Sequence, residues 1–96
     1  ASDAYADFNK DWSRLNWNLD NQKESIKNEW LELGLTSADL ATEEGQKSAM
    51  AFMEGIMQNF GIENNHLANK VKEWIENLLD VEFNFQIDVE TKGGKS

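Results

Sequence analysis

Apolar and polar residues alternate strictly through "VEFNFQIDVET", residues 81–91, whereas upstream they recur every three or four positions. The upstream spacing is that of amphipathic helices, and the strict alternation is that of a strand with one apolar and one wet face. The first helix runs from about Asp3 to Leu33, with Tyr5, Phe8, Trp12, Leu15, Leu19 and Ile26 along a seam that Gln22 interrupts. Trp30 and Leu33 continue that face, Ser2 or Asp3 can cap its start, and Gly34 is placed to close its end. A rival reading ends the helix near Glu29 and makes Leu31, Leu33 and Leu35 a short strand.

"GLTSADLATEEG" follows as a connector, in which Thr36 or Ser37 can cap one helical turn and Thr42 the next helix. That second main helix covers roughly Thr42 to Phe60, with Ala49, Met50, Met53, Ile56 and Met57 on one face and Gly61 at its end. Asn64 or Asn65 caps a third, in which Leu67, Val71, Trp74, Ile75, Leu78 and Leu79 keep helical spacing. The expected fold is therefore mainly α: three principal helices in a small bundle or hairpin arrangement, plus one C-terminal β-strand over 81–90. Residues 1–91 form a single domain in this reading, and "KGGKS", 92–96, is a flexible tail.

A lone strand is unstable because its edges carry unpaired backbone donors and acceptors. Within the chain the one rival strand is Leu31–Leu35, about half as long. A second chain, most simply a second copy in antiparallel two-fold pairing, can supply the missing ladder. Such pairing brings Glu82, Asp88 and Glu90 near their own copies, so charge would select the register.

Composition narrows the function. With 40% apolar residues, four Trp and five Phe, 96 residues can build one modest core. Eighteen acidic against nine basic residues, with the cations scattered singly, argue against direct nucleic-acid binding and against anionic membrane surfaces. No apolar run reaches membrane-spanning length, and the opening lacks the charged–apolar–small order of a signal peptide. Cysteine is absent, which fits the cytoplasm of a cell or of an infected host cell.

Candidate chemistry is sparse. His66 is the sole histidine, with no second His or Cys to share a metal, and reads as a surface residue. Glu43 and Glu44 suit the positive end of a helix dipole. The acidic run from Asp20 has Ser25 where a calcium loop needs Gly, and Leu31 where it needs Glu. Ala41 and Gly45 have the spacing of a helix-turn-helix corner, but the following helix offers Lys47, Met50 and Phe52 rather than base-reading side chains. Catalytic, cofactor and metal residues are therefore assigned as none.

Interaction candidates remain. Trp17 lies about 140° round an ideal helix from Trp12, off the main seam, and Leu31 falls near the same line. Either the fold wraps this helix on two sides or Trp17 and Leu31 belong to an interface. The methionine row is an ordinary core stripe, or else an adaptable groove for an apolar peptide. The expected function is a non-enzymatic protein–protein interaction or assembly module. Its interface would be Trp17, Leu31, Val81, Phe83, Phe85, Ile87 and Val89, and its partner a second copy or another protein. In its small size and helical character it resembles phage structural, assembly or inhibitor proteins. The alternative is an acidic inhibitor that mimics nucleic-acid phosphate in a basic cleft, using the one-turn spacing of Asp3, Asp7 and Asp11.

Overall fold

Leu19 and Ile26 both enter the core, yet a straight helix would hold the six polar residues between them, 20–25, unsupported. The computed structural model, which describes residues 2–91 and side chains from Asp7 onward, resolves this with a break. Helix α1 spans Ser2–Asn21 and α2 spans Lys23–Leu33, and Gln22 between them leaves the helical conformation. The Gln22 N–H tightens to the Leu19 carbonyl, and no side chain caps α2. The expected single helix to Leu33 is thus corrected to two. Its polar interruption is the place where packing gives the backbone nothing to stay straight for. Leu19 and Ile26 end up 0% and 4% exposed.

The Gly34 N–H bonds the Leu31 carbonyl in a left-handed turn at φ 65°, which closes α2 with Leu31 and Leu33 inside it. The rival short strand at 31–35 is therefore not formed. Thr36 and Asp39 build a reciprocal capping box on α3, Ser37–Leu40. Thr42 caps α4, Glu43–Asn59, by accepting from the Gly45 N–H while donating to the Asp39 carbonyl. Gly45 is required there because a Cβ would overlap that same carbonyl. The helix-turn-helix-like spacing is thus a packing corner. The Asn64 side chain caps α5, Asn65–Leu79.

One core joins these helices. It is built from Leu19, Ile26 and Trp30, from Met53 and Met57 of α4, and from Val71 and Ile75 of α5. Met53 and Met57 are buried, so these two of the methionine row belong to the core rather than to an open groove, and Met50 is half-buried. Phe8 packs on His66 with rings 4.5 Å apart, and Lys70 lies 5.3 Å over the Trp12 ring. Both contacts advance by one helical turn in the same sense, so α1 and α5 run parallel there. His66 is exposed, as its position predicts.

The C-terminal segment departs most from expectation. Residues 81–91 take no regular secondary structure, with bends at 84–85 and 90–91, and no β-strand forms among the described residues. The apolar face is nevertheless inward: Phe83 is 6% and Ile87 3% exposed, and residues 82, 84, 86, 88 and 90 all lie in water. Phe83 stacks on Phe85 and meets Trp30 edge-on at 5.6 Å, and Trp30 meets Phe52 of α4 likewise. The capping of α1 by Ser2 or Asp3, the side chain of Tyr5 and the tail 92–96 lie outside the described regions.

Candidate protein interface

The backbone of 81–91 finds its partners on a helix instead of on another strand. Three polar residues of α5, Asn65, Asn69 and Glu76, fall on one stripe at steps of four and seven. The Asn69 amide accepts from the Ile87 N–H at 3.0 Å and donates to the Ile87 carbonyl at 3.0 Å. That reciprocal pair is what a neighbouring residue of an antiparallel strand would supply. Asn65 Oδ1 accepts from the Val89 N–H at 2.7 Å, and Glu76 Oε2 from the Phe83 N–H at 2.8 Å. Residue numbers rise along the segment as they fall along α5, so the segment runs antiparallel to the helix.

Glu76 has a second task. Its Oε2 lies 3.4 Å from Lys72 Nζ, and the side chains of this pair are 11% (Lys72) and 17% (Glu76) exposed. A nearly buried ammonium needs such a counter-charge, so one carboxylate both neutralises Lys72 and holds Phe83 in place. At the far end, the Asp88 carboxylate accepts from the Thr91 N–H and from the Asn65 side-chain amide. These bonds, the Thr91 backbone foremost, hold the Asp88 carboxyl below its ordinary pKa.

The bonds to α5 use the N–H groups of residues 83, 87, 89 and 90, with bends at 84–85 and 90–91 along the segment. Among the described residues, the N–H groups of Asn84 and Gln86 make no hydrogen bond. The segment expected as a strand is therefore held to α5 at separate points, and not along a filled ladder.

Two clefts flank the segment. One of ≈ 660 Å³, between α3 and the end of α5, is lined by Glu76, Asp80, Glu82 and Asn84 among others. The other, ≈ 410 Å³, lies against the end of α4, with Glu54, Glu63 and Asp88 in its wall. Among the described residues, neither lining contains Lys or Arg. Among the described residues, no three His, Cys, Asp or Glu side chains gather closely enough to hold a metal ion.

The residues expected at an interface thus divide into two groups. Trp17 is 67% exposed on α1 and Leu31 71% exposed on α2, with Leu33, two residues on, at 45%. Among the described residues, no element covers Trp17. Phe83 and Ile87 lie in the core, with Val81, Phe85 and Val89 half-buried on it. Sequence reasoning missed Asn65, Asn69 and Glu76. The signal available was a polar stripe at helical spacing that includes Asn69, a poor helix former, in mid-helix.

Among the described residues, no helix is long and apolar enough to cross a membrane. Compared with protein families, with curated proteins and with solved structures, the chain matches none of them.

Proposed function

We propose that this protein is a non-enzymatic interaction and assembly module that works through the exposed apolar side chains of α1 and α2 and through the water-facing side of 81–91. The observation that carries the reading is Trp17: a tryptophan two-thirds exposed, on the side of the helix away from the core. A large rigid aromatic in water has unsatisfied apolar area, and Trp is the residue most enriched at binding hot spots. Leu31 adds a second exposed apolar side chain on the next helix. The partner for this face is a second copy of the chain, because one patch meeting its twin gives a closed two-fold dimer. The setting is the cytoplasm, where a chain without cysteine loses no stabilisation.

Native mass by light scattering after size exclusion, across a range of concentrations, tests this. The expected result is a concentration-dependent dimer that Trp17→Ala returns to monomer. A monomer at all concentrations would overturn self-association. A second reading, mimicry of nucleic-acid phosphate, is favoured by Asp7 and Asp11, which stand exposed one turn apart on α1. Lys10 and Arg14 are exposed in the same region and work against it. Binding to a basic protein that collapses with salt yet survives Trp17→Ala would favour mimicry.

A further inference from the structure

We propose that the polar stripe of α5 is a peptide-binding site that takes residues 81–91 of a second copy as readily as its own, so that two chains exchange these segments through a hinge at Asp80. This goes beyond the reading above and uses a surface separate from Trp17.

The site is visible because the chain fills it. Asn69 bonds both backbone groups of Ile87, Asn65 accepts from the Val89 N–H, and Glu76 accepts from the Phe83 N–H. Phe83 and Ile87 enter the core beneath. These contacts depend on the sequence of the bound segment and not on its covalent link to α5, so a second copy satisfies them equally. Release also leaves no buried charge alone. Lys72, 8% exposed, keeps the Glu76 carboxylate that faces it at 3.4 Å, because both residues stay on α5.

The connection to α5 favours the exchange. Among the described residues three have a left-handed φ: Gly34 at 65°, Gly61 at 64° and Asp80 at 57°. The two glycines adopt it freely at the ends of α2 and α4, whereas Asp80 closes α5 with a Cβ that crowds this conformation. The turn is also short. The Asp80 and Val81 N–H groups both donate to the Glu76 carbonyl, and Phe83 is already bonded to the Glu76 carboxylate. A short connection under strain is what invites an element to exchange between copies. Opening at Asp80 relieves the crowding, and every other contact is made again with the second chain. Direction agrees as well. Within one chain the segment turns back antiparallel to α5; once opened, it continues along its own helix and must meet the second α5 antiparallel. The two α5 helices then lie antiparallel to each other, which is the arrangement a two-fold axis gives, and both sites are filled.

The test mixes isotope-labelled and unlabelled full-length chains at high concentration in urea just below the unfolding transition, returns them to buffer and separates the species by size exclusion. The expected result is a dimer fraction that persists for hours on dilution and survives Trp17→Ala. Isotope-filtered NMR of that fraction should show the Phe83–Trp30 contact between chains. Asp80→Gly removes the crowding at the hinge and should lower the dimer fraction about tenfold. Asp80→Val, whose branched side chain tolerates a left-handed φ least, should raise it. Should the Val variant misfold by circular dichroism, Asp80→Gly still decides. A monomer alone after the urea step, a Phe83–Trp30 contact found only within chains, or an unchanged dimer fraction in Asp80→Gly would each overturn the proposal. The Trp17 reading is decided apart, on chains never exposed to urea: it fails if their native mass never rises, and it stands if a rapidly reversible dimer is lost in Trp17→Ala.

Discussion

Two pairs of apolar side chains differ in burial. Trp17 and Leu31 lie on the outer side of α1 and α2, and Phe83 and Ile87 lie under the C-terminal segment. Both rows are equally apolar, and both lie off the main helical seam. The chain covers one row with itself and leaves the other in water, at 6% and 3% exposed against 67% and 71%. The difference comes from what accompanies each row. Beside Phe83 and Ile87 runs backbone whose donors meet side-chain acceptors on α5, so burying the row leaves its α5-facing donors paired. Trp17 and Leu31 sit on helices whose backbone is already satisfied, and nothing among the described residues is drawn over them. Burial of an apolar row follows the hydrogen bonds that burial would otherwise leave unmade.

The largest test of this contrast is stability. Phe83→Ala removes a ring that touches both Trp30 and Phe85, and should cost about 3–5 kcal/mol. Trp17→Ala should stay within about 0.5 kcal/mol at protein concentrations low enough to keep the chain monomeric. Urea unfolding followed by helical circular dichroism measures both. Similar losses for the two would mean that Trp17 is packed and that the contrast is false.

Asn69→Ala comes next. It removes the acceptor for the Ile87 N–H and the donor for the Ile87 carbonyl while leaving the apolar row untouched. The expected loss is about 1–3 kcal/mol, with amide exchange at Ile87 accelerated well before the helices open. An unchanged Ile87 exchange rate would show that apolar burial alone holds the segment, and that α5 is only its neighbour.

The helices were readable because their signals are local. Thr36, Thr42, Asn64 and Gly34 act within three or four residues of themselves, and each caps or closes the element that its position indicates. The inward and outward sides of 81–89 were readable for the same reason, since period-two alternation needs no knowledge of what lies beneath. The partner of that segment was not. Asn69 meets Ile87 across 18 positions of sequence, and nothing about an asparagine in a helix says that its amide will stand in for a strand. The break at Gln22 was half visible: the interrupted seam marks the site, but the bend depends on where Leu19 and Ile26 must go. For Trp17 the helical angle gives the side of the helix and not its exposure, which depends on where the other helices pack.

The smallest expected effect is acid loosening of the segment's far end, where the contact is polar and in water. Asp88 holds the Thr91 N–H and the Asn65 amide, and these bonds lower its carboxyl pKa in the folded chain. Asp39, lowered by Thr36 through the α3 capping box, is an internal reference on the other side of the molecule. For a depressed carboxyl the stabilisation is fully present above the unfolded value, near pH 4, and is lost as pH falls through the lower folded value. Amide NMR of Thr91 and Thr36 should therefore show both contacts intact at pH 5 and released only below about pH 4. Asp88→Asn keeps an oxygen acceptor without the titrating charge, so it should abolish the pH response at Thr91 and leave that at Thr36. Faster exchange at Glu90 and Thr91, with Ile87 still protected, would place the acid-labile part of the segment outside its apolar anchors. If Phe83 and Ile87 lost protection in the same step, the polar end and the buried row would be one cooperative unit, and the division drawn between them would have to move to the boundary of the whole segment.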